Sequence, residues 1–259
     1  VSVVRVEREG AVLRLTLDRP DKLNALNGQV LRELTDAVTA LEDDQSVRVV
    51  ALRGAGRAFS AGADLSGSGS PAASSASTWA SRRHASGGWQ RLLDKLEALT
   101  QVTVAGVHGH CIGGAALLAI ACDIRIADAT LQVRIPELAI GIPLTWGGNP
   151  RLVREIGLPL TRDLVMTGRM MDAHEALARG FVQRIVPSLD DGVQTCVDEL
   201  LEMPDAPLRM TKAMTSAIGR AQMGATAWSD ADLIGWSLTE DESREAATKY
   251  ASKRARRKP

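Results

Sequence analysis

The sequence predicts an α/β fold, and three features of its patterning carry that prediction. Short β-branched segments recur along most of the chain with helix-period segments between them, the alternation from which α/β cores are built. Twice, a strand-like run turns through glycines: residues 47–52 lead into GAGRAFSAGAD at 54–64, and residues 102–107 lead through Gly109, Gly113 and Gly114 straight into an apolar helix. Beyond about Leu189 the strand signals stop and only helix-period segments remain.

Taken in order, residues 3–6 and 12–17 alternate around Glu7–Gly10 and read as a hairpin. Val30, Leu31, Leu34, Val38 and Leu41 give residues 27–41 a helix period. Further strands are expected at 47–52, 102–107, 124–127, 131–135 and 182–186, and further helices at 193–202, 208–221, 227–239 and 243–254. These place a boundary near Ser188, with a mixed core over 1–188 and a helical region over 189–259. Residues 66–88 are rich in Ser, Ala and Gly and read as a loop directly after Asp64, either a lid or a solvated insertion.

Charge is balanced, with 31 Lys plus Arg against 31 Asp plus Glu, so nothing global calls for nucleic acid or an acidic membrane. The apolar runs fall short of the roughly 20 residues that cross a bilayer. Cys111, Cys122 and Cys196 form no paired spacing, and the chain opens on strand-like alternation instead of a signal-peptide core, so a cytoplasmic location is expected. His84, His108, His110 and His174 lack metal-ligand spacing, and no metal is expected. GSGSPA at 67–72 fits a dinucleotide pattern only formally, because it follows no strand and contains Pro71. GHCIG at 109–113 resembles a nucleophile elbow with Cys111 as nucleophile; the plainer reading is a small buried thiol, since the only downstream histidine, His174, lies in a helical pattern.

The two glycine junctions carry the chemistry. A strand that turns into a helix aims free N–H groups, and the positive end of the helix dipole, at one point in space. Two such junctions suit a carbonyl oxygen that gains negative charge during reaction.

LDRPDKLNALN (17–27), VRVVALRGAGRAFSAGADL (47–65), VAGVHGHCIGGAALLAIACDIRIA (104–127), IPELAIGIPLTWGGNPRL (135–152) and EAATKYASKR (245–254) resemble successive signatures of the crotonase family, the enoyl-CoA hydratase/isomerase superfamily. The resemblance runs from near Val3 to Arg254 and is interrupted mainly at the Ser/Ala/Gly loop. It implies a spiral of ββα units with a C-terminal helical region, assembled as a homotrimer or a dimer of trimers. It also implies an acyl-CoA substrate, with coenzyme A as part of the thioester and no separate cofactor. By motif match, the amides that polarise the thioester carbonyl belong to Ala63 and Gly114. Adenine contacts fall at Lys22 and Leu23, with others at Ala61 and, from the C-terminal helix, at Tyr250 and Lys253. Ser66 replaces a lysine common among relatives; the basic residues Lys253, Arg254, Arg256, Arg257 and Lys258 either attract phosphates or form a solvated tail.

In the hydratases of this family two glutamates share one water. Here the Pro-Glu acid is present as Glu137, but the other position holds Leu117. Loss of one acid–base partner forfeits ~10² to 10⁴ in rate. One carboxylate suffices to shift a double bond, so an isomerase-like activity is expected. Alternatives are a hydratase with an atypical site, a non-catalytic acyl-CoA-binding protein and a Cys111-dependent hydrolase. Glu137 has its own structural alternative, an ion pair with Arg134 or Arg151. Thr145 stands where some relatives place a further acid for dienoyl isomerisation. Trp146 either lines an acyl pocket or packs the core. Asp64 and Asp123 read as structural.

Overall fold

The computed structural model describes residues 1–65, 78–221 and 230–255, without the side chains of 231, 254 and 255. The chain runs through β1 (Val4–Glu9), β2 (Val12–Leu17), a 3-10 turn (Pro20–Lys22), α1 (Gly28–Asp43), β3 (Val49–Gly54), α2 (Trp79–Ser86), α3 (Gly88–Ala98), β4 (Val102–Val107), β5 (His110–Ile112) and α4 (Gly114–Ile120). It continues through β6 (Ile124–Ala127), β7 (Gln132–Arg134), a second 3-10 turn (Glu137–Ile140), α5 (Gly148–Thr167), β8 (Met170–Asp172), α6 (Ala173–Ala178) and β9 (Arg184–Ile185). The helices α7 (Leu189–Glu202), α8 (Asp205–Ala221), α9 (Asp230–Ser237) and α10 (Asp241–Ala255) follow.

Among the described residues the strands form two sheets, ordered β1-β2-β3-β4-β6-β9 and β5-β7-β8. β1 and β2 are an antiparallel hairpin, while β2-β3-β4-β6-β9 run parallel. Two parallel strands of the first sheet hand the chain to the second: β4 turns at Gly109 into β5 and then α4, and β6 leads to β7 and then α5. This is a spiral of ββα turns, and it stacks each β-to-α junction beside the last.

Period-2 alternation divides the first sheet into two buried faces. Leu13, Leu15, Leu17, Val50, Leu52, Ala105 and Val107 face the main core with Val30, Leu34, Val38 and Leu41 of α1. Val12, Val49, Ala51, Val104 and Ile126 face the other side, where Val193, Cys196 and Val197 of α7 cover them. Burial on both faces is why these strands read as nearly continuous apolar runs. The helix period over 27–41 begins at a true cap, since the Asn27 side chain accepts from the amides of Gln29 at 3.1 Å and Val30 at 2.9 Å.

The structure adds elements that periodicity did not predict. Within the expected 66–88 loop, residues 79–86 form α2, capped by Thr78; the remainder of that segment up to residue 77 lies outside the described residues. α5 was absent from the pattern because Gly157 at φ +78° and Pro159 interrupt it. β5 and β8 have three residues each, too few for a period of two to register. Of the helix expected at 227–239, the first three residues likewise lie outside the description.

Candidate active site

Two chain segments lie side by side at the heart of the spiral. Ser60 and Cys111 form a parallel bridge, with Ser60 N donating to His110 O at 2.9 Å and Ile112 N to Ser60 O at 3.1 Å. The segments that follow, Gly62–Asp64 and Gly113–Gly114, are therefore held in register. Gly62 has φ +79°, and its missing side chain leaves the Ile112 carbonyl room to pass; Gly114 N lies 3.8 Å from where a β-carbon on Gly62 would stand. No other residue type fits there without moving main chain.

Around these turns many backbone donors are spoken for. Ala61 N donates to Leu23 O at 2.8 Å, Gly62 N to Ser60 Oγ at 3.1 Å, Asp64 N to Leu26 O at 2.9 Å and Gly113 N to Arg134 O at 2.8 Å. The amides of Ala63 and Gly114 donate to no acceptor among the described residues. Gly113 at φ +55° opens α4, and the absence of a capping side chain leaves the Gly114 amide uncovered.

Glu137 enters from the second 3-10 turn. Its carboxyl occupies the place that a β-carbon on Gly113 would need. Oε2 is buried with no hydrogen-bond partner. Burial pushes its pKa up from 4.5 to about 7, against the opposing pull of its own main-chain amide. The residue as a whole is only partly covered.

The structural alternative for Glu137 fails because both candidate cations are engaged elsewhere. Arg134 donates Nε to the Gly168 carbonyl. Arg151, fully buried, makes a two-pronged pair with Glu97 at 3.0 Å for each bond and binds Asp94 at 2.6 Å. Leu117, the residue at the missing acid's position, is 1% exposed and packs against Gly148 and Leu144. Among the described residues, Glu137 is the carboxyl that stands over Gly113.

Asp64 and Asp123, read as structural, are each paired. Asp64 pairs with Arg19 at 2.9 Å. Asp123 accepts from Thr103 N at 2.8 Å and binds Lys212 Nζ at 2.7 Å. The Cys111 hydrolase is corrected: the thiol is completely buried in the main core, where burial drives its pKa far above the ordinary thiol range, and His174 is exposed on α6. A thiol buried this way is held in its neutral form and is a poor nucleophile. Among the described residues no cluster of His, Cys, Asp or Glu has metal-binding geometry.

Of the residues assigned to coenzyme A, Lys22, Leu23 and Ala61 come together. Leu23 takes a left-handed φ of 50° at the end of the first 3-10 turn, and its carbonyl accepts from Ala61 N. Tyr250, half-buried, and Lys253, exposed, sit on α10, which packs on the 3-10 turn of Glu137. Ser66 and residues 256–258 lie outside the described residues.

Trp146 is a feature the sequence left open. The six-membered edge of its indole fills the space over Gly114 that a β-carbon would need, beside the Glu137 carboxyl over Gly113. It stacks on Trp89 with ring centroids 4.8 Å apart and planes 16° apart. Nothing in the local sequence signals that pairing, which joins residues from α3 and the turn before α5.

A parallel-sheet spiral that sets two unpaired amides and a buried carboxyl beside Gly113 and Gly114 has the donors and the acid that carbonyl polarisation and proton transfer require. The family model described as enoyl-CoA hydratase/isomerase matches residues 7–257, and the chain belongs to that family of acyl-CoA enzymes. It is 30% identical to the short-chain-enoyl-CoA hydratase of Clostridium acetobutylicum over 254 residues, covering 97% of this chain and 95% of the relative. It is 30% identical over 252 residues to the crotonyl-CoA hydratase of Syntrophomonas wolfei, with 96% and 95% covered. Its structure is similar to that of an enoyl-CoA hydratase from Mycobacterium avium subsp. paratuberculosis, with a TM-score of 0.86, 25% identity, and 98% and 97% of the two chains covered. No helix among the described residues is long and apolar enough to cross a membrane.

Proposed function

We propose that this enzyme shifts a double bond in an enoyl-CoA, converting a 3-enoyl to a 2-enoyl thioester through Glu137 alone. The observation that carries the reading is the solitary acid: Glu137 has an unpartnered buried oxygen and a pKa near 7, while the position of a second glutamate is a leucine packed into the core. The thioester oxygen lies between the N–H groups of Ala63 and Gly114. Ionised Glu137 removes a proton from C2, the electron pair moves into the carbonyl to give a dienolate, and the two amides hold the oxyanion. Protonated Glu137 then returns the proton at C4, leaving the double bond between C2 and C3. A base whose pKa is near the working pH suits both halves of the exchange.

In this reading the adenine end rests along Lys22, Leu23 and Ala61, with Tyr250 and Lys253 contributing across a subunit interface. The exposed apolar stripe of Met210, Met214 and Ile218, spaced one turn apart on α8, supports assembly of copies as a trimer or dimer of trimers. Light scattering at micromolar concentration tests the assembly: a monomer would count against it.

The relatives named hydratases favour a second reading, hydration of a 2-enoyl-CoA at an atypical site. Purified enzyme is to be incubated separately with 3-enoyl- and 2-enoyl-CoA. Conversion of the 3-enoyl substrate, lost in Glu137→Gln, is expected; formation of 3-hydroxyacyl-CoA that survives Glu137→Gln would defeat the assignment. Tight binding without turnover of either substrate would instead identify an acyl-CoA-binding protein.

A further inference from the structure

We propose that Trp146 is the acyl-side wall of the thioester site and selects planar acyl groups, aryl or conjugated, over flexible saturated chains of similar bulk. This rests on the acyl-CoA reading above and names its substrate class. The first support is location. Gly113 and Gly114 are consecutive, and where each would carry a β-carbon there stands the Glu137 carboxyl over one and the Trp146 ring over the other. An acyl group polarised at the Gly114 amide and within reach of Glu137 therefore meets the indole.

The second support is the restraint on that ring. Trp146 has φ +61°, a conformation that a bulky side chain adopts only when its surroundings impose it, and such residues gather at ligand clamps. The surroundings do impose it. Arg151 Nη1 donates to the carbonyls of Trp146 at 2.9 Å and Gly147 at 3.3 Å, and Gly147 N donates to the buried Asp230 carboxylate at 2.7 Å. Arg151 is itself fixed by Glu97 and Asp94, so the turn that carries the indole is anchored to α3, α5 and α9.

The third support is the stack. Trp89 lies nearly parallel to Trp146 and fixes the plane of its ring, and both indoles remain only half-buried. A flat acyl group gains face-to-face or edge contacts against such a wall beyond the burial that any chain of equal bulk obtains.

The test is calorimetric titration of cinnamoyl-CoA and nonanoyl-CoA, which have equal carbon counts in the acyl group, into wild type, Trp146→Ala and Trp146→Phe. The ratio of nonanoyl to cinnamoyl Kd should fall about two- to tenfold in Trp146→Ala and stay within about twofold of wild type in Trp146→Phe. Should Trp146→Ala not fold by circular dichroism, Trp146→Leu keeps the bulk without the ring and should show the same fall. An unchanged ratio in either folded variant overturns the proposal. Because the readout is binding, an unchanged ratio alongside Glu137-dependent turnover sinks only this inference, a shifted ratio without turnover sinks only the isomerisation, and absence of acyl-CoA binding to wild type sinks both.

Discussion

The carboxyl of Glu137 stands where Gly113 would carry its β-carbon, so the acid's seat exists only because residue 113 has no side chain. Gly113 also has φ +55°, which an L side chain resists. Gly113→Ala should therefore displace the acid as well as strain the turn: turnover falls by at least about 10² and stability by about 1–3 kcal/mol. Gly10 is the control, with the same φ of +55° and nothing within 4 Å of its β-carbon position. Gly10→Ala should cost about 1 kcal/mol and leave turnover intact; equal activity losses in the two variants, measured with matched melting curves, would contradict the seating argument.

The raised pKa of Glu137 has a signed consequence for stability. A carboxyl near 4.5 in the unfolded chain and about 7 in the fold binds more protons in the native state between those values. Its penalty is absent below about pH 4.5, grows as pH rises from there to about 7, and is constant above that. Glu137→Gln, neutral throughout, should melt like wild type near pH 4.5 and be more stable at pH 8, by on the order of 1–3 kcal/mol after allowance for its partial exposure. The same ionisation should give kcat/KM of wild type a rising limb centred near pH 7. A melting difference that narrows with increasing pH would refute the assignment of the buried acid.

Arg151 and Glu97 are a buried ion pair beneath the Trp146 turn. Removing Arg151 leaves Glu97 held only by Arg154, at 2.8 Å, and takes the partner of Asp94, so Arg151→Met should cost on the order of 1–3 kcal/mol, less than a wholly stranded buried charge. The double variant Arg151→Met, Glu97→Leu removes both charges, leaves Arg154 its bond to Glu155 at 2.8 Å, and should recover part of that loss, which chemical denaturation can measure. It should not restore substrate discrimination, because the hydrogen bonds to the carbonyls of Trp146 and Gly147 are gone in both variants.

The three thiols, Cys111, Cys122 and Cys196, are all buried and free. Burial raises the pKa of each. None should react with a disulfide reagent at pH 8 until the protein unfolds, and Cys111→Ala should retain turnover. Rapid modification of Cys111 in the native state, with loss of activity, would reinstate a thiol mechanism.

Local pattern made the long elements readable. Val30, Leu34, Val38 and Leu41 announce α1, and the β-branched runs announce β3 and β4. The ordered motifs, with Glu137 present and Leu117 in place of a second acid, were equally legible, since residue identity at a motif position needs no coordinates. β5 was not, because three residues hold no period and its stability comes from β7, whose paired residues lie 22 positions further along the chain. Nor was α5, where Gly157 and Pro159 break the pattern that tertiary packing restores.

The site divides in the same way. Primary structure supplied the acid, the glycine turns and the charge balance, because those depend on which residues are present and how they are spaced. Three-dimensional packing settled which partner each long side chain takes: Arg134 reaches Gly168, Arg151 reaches Glu97, and Glu137 is left alone against Gly113. It also laid the Trp146 ring over Gly114 and against Trp89. Such choices are contests among residues remote in the chain, won by distance and burial, and neither quantity exists until the chain has folded.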